Sequence, residues 1–547
     1  MTEDQGLRTK DSEILRRDAE DLARLGYAQQ LLREMGGFSN FAVSFSIISV
    51  LTGAVLLYGY GLKLAGPVVN TVGWPLVSVF TLAIAASMAE LASAYPTAGG
   101  LYFWAFRLGG RGWAWTTAWL NMIGQVTITA GINVAAAIYL IGAATRIFHL
   151  PESASVPLFG PLTGWPFQIL VMVLLMIPQV LINIFGIRAT ARLNDFSVWW
   201  HIAGVAAIVG LLLIFGRHHQ SLAFLFRFEP SVTPWEAASA KLSDGSVGPA
   251  LVFGDYRMSS PFFRLFPGLA PLFQAPPLFF ALGLAFLQAQ WTYTGYDASA
   301  HMAEETLMAR KNSAWGIFLS VAVSAVVGYA LLLVLTAAIP PGSVTAAAAD
   351  AYPVLFIVDR NVAPWASHLI AVAIGAAMWL CGCSSVSSMA RMWYAFARDG
   401  GMPGSRWIRR VSARTQAPVT AILVTSILAV GISIYAAAFT VITSISTIAL
   451  YLAYAIPIYL NVRNRGRGRG EFTTPATAPW SLGRLAQPIG LIALAWVLVI
   501  SILFSLPPNE LVLWTLLLVA LTLAAYWLLL SRHRFRGPAF SGEGGRS

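Results

Sequence analysis

Runs of about twenty apolar residues, the length that carries a helix across a hydrocarbon layer, recur along this chain between shorter polar stretches. Twelve spans are predicted, at 41–66, 69–94, 112–142, 165–187, 196–215, 276–302, 312–338, 365–396, 416–436, 438–462, 485–506 and 511–531. Residues 1–37 are charged throughout and hold no apolar stretch, so they are read as a tail and not as a signal peptide. The chain divides accordingly. A tail over 1–37 precedes a ten-helix core over 38–462; a basic loop over 463–484, two further helices over 485–531 and a second tail over 532–547 follow.

Composition agrees. Of 547 residues, 57% are hydrophobic and 11% charged, whereas soluble proteins carry about a quarter of their residues as charges. The remainder is too small to cover an aqueous surface, which excludes a soluble enzyme, a nucleic-acid binder and a disordered scaffold. Cys381 and Cys383 exclude a disulfide-stapled secreted protein. Two apart on one helix, they diverge and build no metal site, and they are read as small core residues.

Lysine and arginine orient the spans. With the N-terminus inside, all 35 fall on cytoplasmic segments except Lys63, Arg146, Arg217, Arg227, Lys241, Arg257, Arg264 and Arg360. Both termini are therefore expected in the cytoplasm. The +11 net charge is mainly a topology signal with some attraction to anionic lipid, and it is weak evidence for nucleic acid. Lysine occurs only at 10, 63, 241 and 311, and this arginine bias with abundant alanine points to a GC-rich bacterial genome and a bacterial inner membrane.

Polar and helix-breaking residues at membrane depth mark function or helix contact. SFSIISVLTGAVLL (Ser44–Leu57) places Ser44, Ser46, Ser49, Thr52 and Gly53 in the first span, and QAQWTYTGYDASAH (Gln288–His301) places Thr292, Thr294, Gly295 and Asp297 in the sixth. Such residues commonly form packing faces, but a carboxylate in lipid needs a partner. Interruptions five helices apart point to an inverted-repeat secondary transporter, whose half-helix N–H groups bind an anion and C=O groups an ammonium.

At these residues the chain resembles the amino acid–polyamine–organocation permeases, and within them the amino acid and choline permease branch that includes γ-aminobutyrate permeases. GGFSNFAVSFSIISVLTG (Gly36–Gly53) is similar to the start of that family's broken first helix, and AELASAYPTAGGLYFW (Ala89–Trp104) to the inner end of the second. WTYTGYDASAHMAEET (Trp291–Thr306) resembles the broken sixth helix and SSMARMWYAFARDGGMP (Ser387–Pro403) the inner end of the eighth. LARLGYAQQLLREMGGFSNF (Leu22–Phe41) matches the branch's N-terminal lead-in, so the resemblance covers about residues 22–530.

The resemblance implies an all-α, leucine-transporter-like fold in which helices one to five and six to ten are inverted repeats and the last two are peripheral. It places a substrate over Ile48–Gly53, Ser49 included, and over Thr292–Asp297, Gly295 included. The N–H groups of Leu51, Thr52 and Gly53 would hold a carboxylate; carbonyls near Ile48, Tyr293 and Thr294 would hold an amine. Trp291 falls where permeases place an aromatic that closes over substrate; in a chain with 19 tryptophans an ordinary packing or lipid-facing role is the alternative. Asp297 is expected to cap the second half of the sixth helix.

Asn121, Gln125 and Thr129 share one face of the third span, lining the substrate path or bonding other helices, and Gln125 is the chosen lining residue. Gln179 and Asn183 are assigned to packing. Among the serines of the eighth span, Ser385 is expected to face substrate.

In this fold the coupling cation sits between helices one and eight, as sodium on oxygens or replaced by a titratable side chain from helix five. His201 stands seven residues after Asn194, where sodium-independent relatives carry a lysine. It either alternates between neutral and protonated forms, coupling proton entry to transport, or hydrogen-bonds a carbonyl or serine without changing charge. The first is preferred because intramembrane ionisable groups are functional by default. Glu90 is expected to meet cytosolic arginines. Glu304, Glu305, Arg310 and Lys311 are expected opposite Arg398 and Asp399 as an inner-gate network, and residues 1–34 as an interfacial or cytosolic helix.

The leading expectation is a proton-coupled permease for an amino acid or a related amine such as γ-aminobutyrate, without cofactor. Choline or polyamine transport, or exchange, is the runner-up. A membrane enzyme would need a catalytic set at one depth, yet only Asp297 and His201 lie well inside spans, with Glu90 and His301 near inner ends.

Overall fold

The computed structural model describes residues 2–156, 160–237, 239–241, 247–249, 261–434, 439–467 and 478–538. The basic run Asn464–Gly470 passes out of the described residues after 467, and the second tail does so after 538.

Helices follow the apolar runs, and they keep the ordinals of the predicted spans. The first comprises Gly37–Ile48, Val50–Leu56 and Tyr58–Ala65. The second is Trp74–Ala94, the third Arg111–Phe148, the fourth Gly164–Ile184 and the fifth Ile187–Phe215. The sixth comprises Leu278–Ala285, Leu287–Thr292 and Ala298–His301. Then come Ala309–Ala337, Pro364–Arg398, Val419–Ser433, Phe439–Gly466, Ala486–Leu503 and Glu510–Tyr526. Two small antiparallel hairpins pair Ser153–Val156 with Gly160–Thr163 and Ser239–Lys241 with Val247–Pro249, both in loops.

Among the described residues ten helices are long and apolar enough to cross a membrane, and an eleventh results if Pro267–Gln274 and Leu278–Thr292 count as one span bent by 89°. The ninth predicted span forms a shorter apolar helix of 15 residues. The sixth does not run through as a single helix because the backbone departs from helical geometry between Tyr293 and Tyr296, with Gly295 at φ +84°.

Apolar side chains face outward at every level of the bundle: Val79, Ile214, Phe279, Val326 and Leu521 are all more than 60% exposed. Polar residues lie inside, reversing the arrangement of a protein in water. Asn121, Gln125, Thr129, Asp297 and Ser385 are all fully buried.

The two ends are closed differently. On the side away from the tail, the segment after the fifth helix folds over the end of the first: the Glu229 and Ser231 amides donate to the Ala65 and Lys63 carbonyls at 3.2 and 2.8 Å. On the tail side, helix Thr2–Arg24 and the strap after it dock on protein, burying Leu22, Leu25 and Leu31. The end of this helix and the strap are thus held against the bundle.

Candidate functional site

The first span breaks at Ser49, which adopts left-handed geometry at φ 36°. An L-residue there costs roughly 1–2 kcal/mol, so its surroundings must hold it. Its Oγ lies 2.6 Å from Thr52 Oγ1 and 2.7 Å from His201 Nε2. On the other side of the ring, His201 Nδ1 lies 2.7 Å from the Ser197 carbonyl oxygen, which can only accept. Nδ1 therefore carries the proton, Nε2 accepts from the Ser49 hydroxyl, and Ser49 accepts from Thr52. The Cys381 thiol of the eighth span donates to the Ile47 carbonyl at 3.2 Å, and both cysteines are free and buried.

The break in the sixth span faces the break in the first. A Cβ added to Gly53 would stand 2.7 Å from the Thr292 Cα, and one on Gly295 2.3 Å from Ile47 Cγ2. Glycine at both positions lets the two backbones approach. The Ser44 hydroxyl then donates to the Tyr296 carbonyl at 2.8 Å and accepts from the Ser299 amide at 2.9 Å.

This geometry changes the expected anion contacts. The Ser49 carbonyl accepts from the Thr52 and Gly53 amides at 2.7 and 3.0 Å, so neither amide is free in this arrangement. The second half-helix starts at Val50, one residue earlier than the expectation requires. Helix geometry leaves its first amides, those of Val50 and Leu51, without intrahelical partners. The Tyr293 carbonyl is taken by the Tyr451 hydroxyl.

Asp297 does not cap the helix that follows it. It precedes Ala298 in helical φ and ψ and makes no capping bond. An N-cap needs extended backbone to swing its side chain over the first turn, and here the carboxylate points sideways instead. It accepts from Asn121 Nδ2 at 2.8 Å, Gln125 Nε2 at 3.1 Å and the Tyr454 hydroxyl at 2.9 Å, and it meets His301 Nε2 at 3.0 Å.

Gln125 thus turns its amide nitrogen to Asp297, while its Oε1 and the Asn121 Oδ1 are buried without a partner. Thr129 and Ser385 meet each other at 2.6 Å. Trp291 is buried and not lipid-facing: its Nε1 donates to Ser446 at 3.1 Å, and a Cβ on Gly131 would lie 3.4 Å from its ring. Gln179 and Asn183 bond the eighth span as packing residues, to the carbonyls of Trp379 at 3.0 Å and Cys383 at 3.2 Å.

The sequence of the chain compared with known proteins fits this arrangement. The profile of the family described as "Amino acid permease" matches residues 36–529. The chain belongs to the amino acid permease family. It is similar to amino-acid permease BAT1 of Arabidopsis thaliana, 33% identical over 94% of this chain and 95% of that protein. It is also similar to the BAT1 homolog of Oryza sativa, 32% identical over 96% of each. The GABA-specific permease of Saccharomyces cerevisiae is 26% identical over 90% of this chain and 79% of its own length. The protein is accordingly an integral membrane transporter of amino acids and not an enzyme.

In this permease the expected tail-side network forms only in part: Glu304 meets Arg398, but Glu305 and Arg310 take partners outside the expected set and Lys311 is exposed. Arg398 makes a two-pronged pair with Glu304 at 2.9 Å, and Arg465 reaches Glu90 at 2.9 Å. Glu305 pairs instead with Arg391, fully buried, at 2.8 and 3.0 Å. Arg310 pairs with Asp21 of the tail. Asp399 accepts from Tyr27 and Tyr102 at 2.7 and 2.9 Å, and burial holds its carboxyl above the ordinary value despite Arg398 beside it.

Two functional candidates lay outside the sequence reading. His301 was placed near an inner end, yet it pairs with Asp297, and the four-residue spacing on one helix was the available signal. Tyr454 lies 157 positions from Asp297, and nothing local connects them.

Proposed function

We propose that this permease is a secondary active transporter, moving an amino acid or a related amine such as γ-aminobutyrate across the cytoplasmic membrane by alternating access coupled to proton entry. The architecture is a twelve-span chain whose first ten helices are two inverted five-helix repeats, with both termini cytoplasmic in a bacterial inner membrane. Four helix pairs support that reading: the first packs on the sixth, the second on the seventh, the third on the eighth and the fourth on the ninth. A two-fold axis between repeats brings such mates together.

The substrate lies at the two breaks. Its carboxylate faces the start of the second half-helix, at the Leu51 amide with the Ser49 and Thr52 hydroxyls beside it. Its amine faces the carbonyls of Ile48 and Thr294 across Gly53 and Gly295. Gln125 offers its unpartnered Oε1 to that amine. Trp291 closes over the substrate, and Ser385 flanks it. The relative named for GABA supports γ-aminobutyrate as a member of the substrate class.

The observation that carries the coupling is the His201–Ser49 bond at the break. A proton on Nε2 turns this atom from acceptor to donor, so the Ser49 hydroxyl must rotate its own proton to another acceptor. Proton binding is thereby tied to the shape of the broken helix. Uptake into proteoliposomes tests this with a panel of amino acids, γ-aminobutyrate, choline and putrescine, varying pH and sodium gradients separately. Accumulation of an amino acid driven by an inward proton gradient is expected, and His201→Ala should lose that dependence. Unchanged dependence in the variant overturns the role of His201; accumulation of none of the panel overturns the transport reading.

A further inference from the structure

Asp297 and His301 form a buried carboxylate–imidazole pair to which the substrate contacts above assign no proton chemistry. Asp297 sits where the sixth helix resumes, and His301 is one turn further on. Both side chains are 0% exposed and Nε2 stands 3.0 Å from Oδ2.

The hydrogen-bond partners count the protons. Asp297 receives the Asn121 and Gln125 amides and the Tyr454 hydroxyl, all turned to it as donors. Tyr454 has its own acceptor duty filled by the Gly295 amide at 3.2 Å, which leaves its O–H for the carboxylate. His301 Nδ1 faces the Ala98 carbonyl oxygen at 3.2 Å, which can only accept. Both ring nitrogens thus face acceptors. Donation to both requires one proton more than a carboxylate beside a neutral imidazole holds, shared between Nε2 and Oδ2.

We propose that Asp297 and His301 form a proton-binding site of this permease, second to His201, that loads when the tail side is closed and discharges to the tail side when it opens. The inference rests on the transport reading above.

The surroundings give discharge a direction. Facing the pair are the phenols of Tyr454 and Tyr451 from the tenth helix and of Tyr296 from its own segment, with Asn121 and Gln125 from the third. None of these is a cation that would expel the proton. On the remaining side is the loop before Leu101. The Ala98 carbonyl accepts from His301, while the Ala98 amide donates to Glu304 Oε1 at 3.1 Å, and Glu304 is held by Arg398. The charged lock of the tail-side end is thus one residue from the imidazole. A Cβ on Gly100 of the same loop would lie 3.5 Å from His301 Nδ1.

When the Glu304–Arg398 pair parts, the loop moves with it and the imidazole is uncovered. The proton then leaves Nε2 for water, and the nitrogen lone pair is left facing the Asp297 carboxylate. Two acceptors in contact repel, so His301 separates from Asp297. The short helix Ala298–His301 loses one of its ties to the third and tenth helices. Reloading requires a proton from the opposite side, which makes the pair a coupling element rather than a permanent ion pair.

The test uses the full chain in proteoliposomes containing a pH-sensitive dye, with the amino acid that the wild-type protein accumulates. His301→Gln and His301→Asn should keep substrate counterflow within about threefold of wild type. They should lose at least tenfold of the accumulation driven by an inward proton gradient and the substrate-driven proton signal. Wild-type proton coupling in His301→Gln overturns the proposal. A wild-type protein that neither accumulates nor exchanges substrate refutes the transport reading instead, so the two failures are separable. If the variants do not fold, the unmutated protein decides. Infrared difference spectra with 15N-histidine, recorded with and without substrate between pH 6 and 9, should show imidazolium loss paired with a carboxylate change. Spectra showing only the change expected of His201, identified by its absence in His201→Ala, overturn the proposal.

Discussion

Gly53 and Thr292 stand so close that a Cβ on the glycine would lie 2.4 Å from the Thr292 hydroxyl oxygen. They come from the two interrupted helices, and this contact is where the breaks meet. Gly53→Ala should therefore destabilise the protein by about 1–3 kcal/mol, the usual penalty for overpacking a tight interior. Uptake should fall more steeply than stability, because the clash lies at the crossing itself. Thermal melting of purified protein together with initial uptake rates checks both. A variant with wild-type melting and uptake would show that the crossing is loose.

Arg391 and Glu305 form an ion pair with side chains 0% and 1% exposed. Removing one partner leaves an uncompensated buried charge, at about 3–5 kcal/mol, while removing both costs far less. Glu305→Leu and Arg391→Met should each lower the melting temperature strongly, and the double variant should recover most of the loss. Additive losses in this cycle would mean that the pair does not act as a unit.

Arg33 fastens the tail to the end of the sixth helix, donating to the carbonyls of Ala303 and Thr306 at 3.1 and 2.5 Å. Hydrogen bonds from a charged donor contribute about 1.5–3 kcal/mol each. Arg33→Met should speed amide exchange of the Met35 and Leu307 backbone bonds at least tenfold, leaving exchange in the third helix unchanged. Hydrogen-exchange mass spectrometry at matched pH measures this.

Tail docking should also depend on pH through Asp399. Burial raises its folded pKa above the ordinary 3.8, against the opposing pull of Arg398, Tyr27 and Tyr102. A raised folded pKa means the docked state binds the proton more tightly than the undocked state. Its contribution is complete below the unfolded value and is lost as pH rises through the folded one. A fluorophore on Ala28→Cys should report tighter docking toward acid, and Asp399→Asn should flatten that slope. The native cysteines are buried and do not compete for the label.

Much of the fold was legible because the solvent imposes it. A backbone in hydrocarbon must satisfy its own hydrogen bonds, so apolar length alone predicts helices. The break of the first helix was legible too, since Ser49, Thr52 and Gly53 interrupt an apolar run. The ring of donors around Asp297 was not. Its members come from the third, sixth and tenth helices, and the same amides on the third helix equally suit a substrate path. The capping expectation failed for a related reason: residue type favours a cap, but the backbone at 297 is already helical.

By itself, the sequence determined that this chain lives in a membrane, where its helices run and which two are interrupted. These are local properties, fixed by the length and polarity of short segments against a solvent that gives no hydrogen bonds. Only the tertiary structure decided what the interior polar groups do. His201 meets Ser49, Asp297 meets His301, and Glu305 meets Arg391, because helices distant in sequence pack side by side and each buried polar group must find a partner there.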